Sequence, residues 1–244
     1  MPTVLITRPR PQQARFISLC KELGLNTHSL PLLKILPINV EDDLWLPHIH
    51  DSSTAWVFTS RNAVEHCPFD TKPAGPVFAM GSSTAAALTS SGHRLAAIPE
   101  APFNSEVLVE QLRNANTNSA VVVTGIGGRA YLGNELRSMQ WVVTEIRCYE
   151  RVAETHSEQI IKQSLQAADI LSLTSIESMD ALLGLAKSEN TDWMTKPLVV
   201  NSERAAAAAK SAGFTGDIYT AIPAGDDGQI EAIKWFLQKK TVSG

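Results

Sequence analysis

The sequence contains few of the residues that mark disulfide-bonded or zinc-binding proteins. Its 244 residues include three cysteines, Cys20, Cys67 and Cys148, an odd number with no C-x-x-C pair and no histidine at zinc-ligand spacing. We therefore expect reduced thiols that serve as small packing residues, and neither a disulfide framework nor a zinc site. The six histidines share no common spacing and indicate no other metal site.

Excess positive charge and long apolar runs are also missing. Lys plus Arg total 21 against 25 Asp plus Glu, for a formal net charge of −4, so no cationic surplus favours a nucleic-acid partner. No apolar run approaches the roughly 20 residues of a membrane helix, and the opening MPTVLITRP lacks the features of a secretory signal. We predict a cytoplasmic protein without a membrane or nucleic-acid partner, and a monomer in the absence of any signal for an oligomer.

Short apolar runs that end in small polar residues, each followed by a helical pattern, recur along the chain. They read VLITR, WVFTS, VFAMGSS, VVVTG, ILSLTS and LVVNSE. This alternation predicts parallel β-strands connected by helices. With 44% hydrophobic and 19% charged residues, the chain has a globular composition, and 244 residues suffice for two α/β domains.

The βα units repeat with a permutation. PVFAMGSSTAAALTSSGH matches PLVVNSERAAAAAKSAGF, WVFTSRNAVEHC matches LSLTSIESMDALL, and the N-terminal VLITRPRPQ matches VVVTGIGGR, which places the first copy out of order. We predict two parallel-sheet α/β domains, one discontinuous (1–35 and 152–244) and one inserted (36–151). The crossings, near 33–38 and 145–151, are predicted to pair as a two-stranded β connector at the ends of the inserted domain, with a ligand cleft between the domains.

The stretch VVVTGIGGR raises the alternative of a nucleotide-dependent enzyme. Gly125, Gly127 and Ala130 fit the G-x-G-x-x-G/A spacing of a pyrophosphate-binding turn, and Glu145 follows at about the distance of a ribose-binding acid. The repeat partner TRPRPQ, however, carries prolines that lack N–H donors, and Glu145 falls where the chain leaves the domain. Use of the Gly125–Gly128 loop for a nucleotide stays an alternative, as does a two-domain small-anion binding protein.

Taken in order, the motifs resemble the uroporphyrinogen-III synthase family over nearly the full length. The matching pieces are VLITRPRPQ, FTSRNAVEH, AMGSSTAAAL, TGIGGRAYLGNEL, CYERV, LTSIESMDALL and VVNSERAAAAAKSAGF. The resemblance implies a hydro-lyase of tetrapyrrole and heme biosynthesis that needs no cofactor or metal. Its substrate would be hydroxymethylbilane, a linear tetrapyrrole with an acetate and a propionate on every ring. The product would be uroporphyrinogen III, formed in an interdomain cleft with inversion of ring D and loss of water. Transient contact with the bilane-producing enzyme is a further expectation.

The resemblance assigns a catalytic role to Tyr149, in CYERV, whose phenol could protonate the departing hydroxyl. It assigns substrate binding to Thr84 at a helix N-terminus facing the cleft. The neighbouring Ser82 and Ser83 are further substrate-binding candidates, although either could instead act as a simple helix cap.

The second domain departs from the family pattern, because it reads NSERAAA where many members carry threonine. Ser202 or Arg204 would have to take that role. Other groups that could bind substrate carboxylates follow strand ends. They are the arginines Arg8, Arg10, Arg61, Arg129 and Arg204, and the backbone amides of Ser60, Ser82, Gly127, Gly128 and Ser175.

Overall fold

A computed structural model gives the fold and describes residues 1–97, 105–128 and 131–242. The chain forms two compact units, Met1–Lys34 with Val152–Gly244, and Ile35–Arg151. In the described residues no helix is both long and apolar enough to cross a bilayer.

The secondary structure alternates between short strands and helices. In chain order the strands are β1 (Thr3–Ile6), β2 (Asn26–Ser29), β3 (Leu33–Pro37), β4 (Thr54–Phe58), β5 (Val77–Ala79), β6 (Ser119–Gly125), β7 (Val142–Ala153), β8 (Ile170–Leu173), β9 (Leu198–Val200) and β10 (Ile218–Thr220). The helices are α1 (Ala14–Glu22), α2 (Leu46–Ile49), α3 (Arg61–Glu65), α4 (Ser82–Ser90), α5 (Ser105–Arg113), α6 (Tyr131–Ser138), α7 (Glu158–Ala167), α8 (Ile176–Leu185), α9 (Glu203–Ser211) and α10 (Asp226–Val242). Short 3-10 turns cover Arg10–Gln12, Asp42–Leu44 and Thr191–Thr195.

The first unit is built on a sheet with strand order β10-β9-β8-β1-β2, in which every neighbouring pair is parallel. Successive side chains of a strand point to opposite faces. Leu5 accordingly packs in a core cluster with α7, α8 and α9. Val4 and Ile6 pack on the other side with α1 and α10. Helices on both faces explain why Val4, Leu5 and Ile6 of β1 are consecutive apolar residues.

The second unit is built on a sheet with strand order β3-β7-β6-β4-β5. The pairs β5/β4, β4/β6 and β6/β7 are parallel. At the end of β3, the Ile38 N–H donates to the Cys148 carbonyl at 2.9 Å. Trp56 and Phe58 face a cluster that includes residues of α2, α3 and α4, and Val57 faces a cluster with α5 and α6.

The predicted α/β fold with parallel sheets is confirmed, and each of the six apolar runs contains a strand. The apolar-run pattern does not predict β2 and β10, the two edges of the first sheet. Both are short, and β2 reads NTHS. Edge strands have one neighbour, so the apolar signal of a central strand is absent there.

Candidate functional site

Tyr149 lies on β7 immediately after a β-bulge. Thr124 of β6 pairs with Arg147, whereas the next residue, Gly125, pairs with Tyr149. Cys148 is therefore the extra residue on β7. After a bulge of this kind, each later side chain lies on the face opposite to the one that strict alternation along the strand would give it.

The bulge determines which groups surround the phenol. Before it, Ile146 packs in the core cluster that includes α3, while Glu145 points the other way and forms an ion pair with Arg137 of α6. Strict alternation would place Tyr149 on the same face as Glu145. Instead Tyr149 joins Ile146 and Cys148 in the core cluster.

The phenol oxygen of Tyr149 has two hydrogen-bond partners among the described residues. Ser60 Oγ lies 2.9 Å away, and Arg151 Nη1 donates to the phenol oxygen at 3.1 Å. The guanidinium carbon of Arg151 lies 5.7 Å from the centre of the tyrosine ring. Ser60 is also the N-cap of α3, because its Oγ accepts a hydrogen bond from the Ala63 N–H at 3.1 Å. Tyr149 is 2% exposed, whereas Ser60 is half-buried.

The glycines of TGIGGR support this packing. A Cβ atom added to Gly125 would lie 2.4 Å from Cζ of Tyr149, so the ring occupies the space of a side chain. The Ile126 N–H donates to the Tyr149 carbonyl at 2.9 Å, and the Gly128 N–H donates back to the Gly125 carbonyl at 3.3 Å. Gly127, at φ +77°, has the left-handed conformation that favours glycine. Arg129 and Ala130 lie outside the described residues.

A small cavity beside this turn bears on the nucleotide alternative. It has a volume of about 130 Å³ and is lined by Thr59, Thr124, Gly128 and Glu145, among others. Nucleotide-sized ligands occupy pockets of roughly 300–1,000 Å³. The geometry of the described residues therefore does not favour a nucleotide at this loop.

Glu145, the candidate ribose-binding acid, is already paired. Arg137 Nη2 donates to Glu145 Oε1 at 2.9 Å, and Arg147 Nη2 donates to Glu145 Oε2 at 3.3 Å. Burial raises the pKa of Glu145, but the hydrogen bonds from the two arginines outweigh it, and the net pKa is lowered. This carboxylate is therefore an ionised partner of the arginines.

Thr84 is the third residue of α4 and is 2% exposed. The alternative that Ser82 or Ser83 caps this helix is not observed, because the N-cap residue is Gly81, in an extended conformation. Glycine has no side chain to cap the helix, so the first-turn amides of α4 receive no cap bond from residue 81. Amides in this state are suitable donors to a carboxylate.

In the first unit, two of the candidate serines are helix caps. Ser175 Oγ accepts from the Ser178 N–H at 3.1 Å, and the Ser175 N–H donates to Ser178 Oγ at 3.2 Å. This capping box already uses the Ser175 amide that was expected to bind a carboxylate. Ser202 Oγ accepts from the Ala205 N–H at 3.2 Å at the start of α9.

Arg8 is bound inside its unit. Its side chain is 7% exposed and forms an ion pair with Asp226 of α10. Its Nη2 donates to Gln229 Oε1 at 2.9 Å, and its guanidinium carbon lies 4.2 Å from the centre of the Phe16 ring. A guanidinium neutralised by an internal carboxylate has less to offer a substrate carboxylate than an exposed one.

The other described candidate arginines are solvent-facing. Arg10 is 67% exposed with a 3.4 Å contact to Glu154. Arg61 is 52% exposed and pairs with Glu65 one helical turn away. Arg204 is exposed at the start of α9. Exposed ion pairs of this kind are weak, so these guanidinium groups can exchange partners for a ligand.

The structure thus assembles the candidates along the carboxyl ends of parallel strands. In the second unit these are Ser60, Thr84 and the Gly127–Gly128 turn, which follow β4, β5 and β6. In the first unit Arg10, Ser175 and Ser202 follow β1, β8 and β9. Arg151, which contacts the phenol, was not among the predicted residues, because the sequence pattern of CYERV gives no indication of that contact. Among the described residues, no group of three or more His, Cys, Asp or Glu side chains is placed to hold a metal ion.

Comparison with known proteins gives concordant matches. Residues 14–227 match the family model described as Uroporphyrinogen-III synthase HemD. The chain is 29% identical to the uroporphyrinogen-III synthase of Escherichia coli strain K12 over 95% of this chain and 100% of that protein. The solved uroporphyrinogen III synthase of Helicobacter pylori 26695 matches with a TM-score of 0.63 at 16% identity, over 96% of this chain and 99% of that one. A mutant of the Thermus thermophilus enzyme gives a TM-score of 0.62 at 16% identity, over 98% of this chain and 100% of that one. At this identity the structural matches establish the fold alone.

Proposed function

The chain belongs to the uroporphyrinogen-III synthase family, and we propose that it converts hydroxymethylbilane to uroporphyrinogen III with inversion of ring D and loss of water. The observation that carries this proposal is the family match across residues 14–227. The setting of Tyr149 supports it, because a phenol bonded to a hydroxyl and a guanidinium is equipped to release a proton.

The reaction requires control of conformation more than chemical activation. Departure of the terminal hydroxyl gives a reactive azafulvene, which attacks the substituted α-carbon of ring D to form a spiro intermediate. That intermediate fragments and recloses with ring D inverted. Without an enzyme the bilane closes to isomer I. The protein therefore contributes mainly by holding a flexible chain in the conformation that leads to the spiro bond.

The substrate carboxylates would bind at the strand ends. We propose that the Gly127 amide and the amides of the first turn of α4 receive some of them, because the Gly128 N–H already donates to the Gly125 carbonyl. The exposed guanidinium groups of Arg10, Arg61 and Arg204 supply mobile positive charge for others. Tyr149 supplies the proton for the leaving hydroxyl.

We also propose that the two units are copies of a permuted repeat joined by the crossing strands β3 and β7. The strand orders support this, because β5-β4-β6-β7 in one sheet corresponds to β9-β8-β1-β2 in the other, the pairing that the sequence repeat requires. The division of the chain at Lys34/Ile35 and Arg151/Val152 lies within one residue of the predicted boundaries and supports the same proposal. A monomeric state, a cytoplasmic location and transient contact with the bilane-producing enzyme stay predictions.

The test of function is an isomer assay. Freshly prepared hydroxymethylbilane is incubated with the protein, and the products are oxidised and separated as isomers I and III. Isomer III should predominate. Isomer I alone, formed at the spontaneous rate, would overturn the proposed function.

A further inference from the structure

We propose that Ser60, and not the phenol of Tyr149, touches the leaving hydroxyl, and that Tyr149 supplies the proton through Ser60 while Arg151 holds the charge left on the phenol oxygen. This relay rests on the proposed function and adds a catalytic residue to it. Three observations carry it: the hydrogen bonds of the two hydroxyl groups, their different burial, and the position of Arg151.

The direction of the hydrogen bond between the two hydroxyls follows from their other partners. Arg151 is a donor without acceptor capacity, so the phenol oxygen of Tyr149 accepts from it. The Ala63 N–H is likewise a donor, so Ser60 Oγ accepts from it. Between Tyr149 and Ser60, at 2.9 Å, either oxygen could therefore be the donor on these grounds alone.

Burial decides between the two directions. If Ser60 donated to Tyr149, the phenol proton would have to point elsewhere, although the phenol oxygen has no third partner among the described residues and Tyr149 is 2% exposed. A buried donor left without an acceptor destabilises the folded protein, because it has lost its hydrogen bond to water without replacement. If Tyr149 donates to Ser60, the phenol proton has an acceptor and the phenol oxygen still accepts from Arg151. The Ser60 proton is then free to point away from the core. Ser60 is half-buried, so a ligand atom can reach this proton more easily than that of the phenol.

The proposed step moves two protons, one from Ser60 to the leaving hydroxyl and one from Tyr149 to Ser60. The Ser60 O–H bond breaks as its proton bonds to the leaving hydroxyl, and the C–O bond electrons depart with the oxygen as water. The Tyr149 proton moves to Ser60 Oγ, and the phenolate electron pair remains beside the Arg151 guanidinium. The cationic substrate later loses a proton when the new ring closes and regains its aromatic pyrrole. That proton returns through Ser60 to Tyr149, so the enzyme is restored and the net loss is one water.

A double-mutant cycle tests the relay. Ser60→Ala and Tyr149→Phe should each lower kcat by about tenfold, with little change in KM, since both interrupt one proton path used in the transition state. The double variant should be no slower than the slower single variant. Either substitution alone already interrupts the proton path, so the second one has nothing further to remove. Ser60→Thr keeps a hydroxyl and a helix cap and should restore most of the rate.

Loss of the helix cap needs its own control, because Ser60 also caps α3. Ser157 is the N-cap of α7, where its Oγ accepts from the Ile160 N–H at 3.4 Å. Ser157→Ala should lower the free energy of unfolding about as much as loss of the Ser60 cap does, and it should leave kcat unchanged. Rates are compared at a temperature where circular dichroism shows each variant fully folded.

Solvent isotope measurements separate the relay from a structural role. In mixtures of light and heavy water, a plot of the wild-type rate against the deuterium fraction should be curved, because two protons move in the transition state. The same plot for Tyr149→Phe should be linear, because only one proton moves. A Ser60→Ala enzyme with the wild-type kcat, multiplicative losses in the double variant, or a linear wild-type dependence would overturn the relay while leaving the proposed function intact. A wild-type protein that forms only isomer I would overturn both.

Discussion

Gly125 and Tyr149 are paired residues of β6 and β7, and the tyrosine ring lies where a side chain at position 125 would be. An added Cβ atom would lie 2.4 Å from Cζ of the ring, and ring atoms cannot shift without moving the phenol. The same ring holds its oxygen 2.9 Å from Ser60. The identity of residue 125 is therefore coupled to the position of the candidate proton donor.

We predict that Gly125→Ala displaces the Tyr149 ring. Turnover should fall by about tenfold, since the phenol leaves Ser60. Overpacking of this kind should also lower the free energy of unfolding by about 1–3 kcal/mol. The isomer assay and urea titration measure the two effects.

Gly184→Ala is the matched control for Gly125→Ala. Gly184 is exposed in α8, and an added Cβ atom there would have no atom within 4 Å. Alanine should therefore keep full activity and raise stability by up to about 1 kcal/mol through its higher helix propensity. A Gly125→Ala protein that behaves like the Gly184→Ala control would contradict the coupling of residue 125 to the phenol.

Tyr149→Phe should slow isomer III formation more than Thr84→Ala does. Acid–base assistance typically contributes ~100-fold or more to the rate. Here the leaving group departs readily and many contacts together orient the substrate, so we expect the rate of Tyr149→Phe to fall by about tenfold. Thr84→Ala removes a hydroxyl that takes part in no proton transfer in the proposed mechanism. Single-turnover rates, in which chemistry limits, give the comparison. A Tyr149→Phe enzyme at the wild-type rate would remove tyrosine from the mechanism.

Asp226→Asn should destabilise the first unit. The Asp226 carboxylate is 17% exposed and neutralises Arg8, which is 7% exposed, so its loss leaves a buried guanidinium without a counter-charge. Removal of one partner of a buried pair costs about 3–5 kcal/mol. The urea midpoint should fall accordingly.

Asp227→Asn provides the comparison on the same helix turn. Asp227 is 67% exposed and pairs with the exposed Arg15. Such a surface pair contributes about 0–1 kcal/mol. Equal urea midpoints for the Asp226 and Asp227 variants would show that the Arg8 ion pair does not stabilise the fold.

The acid stability of the protein should depend in part on Asp51. Hydrogen bonds from the side chains of Ser53 and Thr54, and from the Ser53 N–H, lower the pKa of this carboxyl to about 2. The unfolded-state pKa is about 3.9, so the carboxylate adds stability above about pH 4 that is lost as the pH falls through about 2. Unfolding free energies measured across this range should show a weaker pH dependence for Asp51→Asn than for wild type. An unchanged slope would contradict the assignment, and Asp43→Asn controls for the loss of one carboxylate.

The sequence alone determined the parallel α/β architecture. The runs VVVTG and LVVNSE begin with three consecutive apolar residues because helices bury both faces of their strands, and that burial leaves its pattern in consecutive residues. The order of the motifs also determined the family, which does not depend on knowing any side-chain position. By contrast, the sequence left open whether Ser82 or Ser83 caps α4, and the structure places an extended Gly81 at the N-cap position, with both serines inside the helix.

The arrangement of the candidate site depends on contacts between segments that are far apart in the sequence. The bulge at Cys148 turns Tyr149 from the face of Glu145 to the face of Ser60, and a bulge is a property of how two strands pair, so neither strand's sequence reveals it alone. Arg8 lies at a strand end like the other candidate arginines, yet Asp226, 218 residues away in the chain, neutralises it. Periodicity and spacing describe neighbours in sequence. The partners of a phenol or a guanidinium are set by packing between distant segments, and that information exists only in the folded chain.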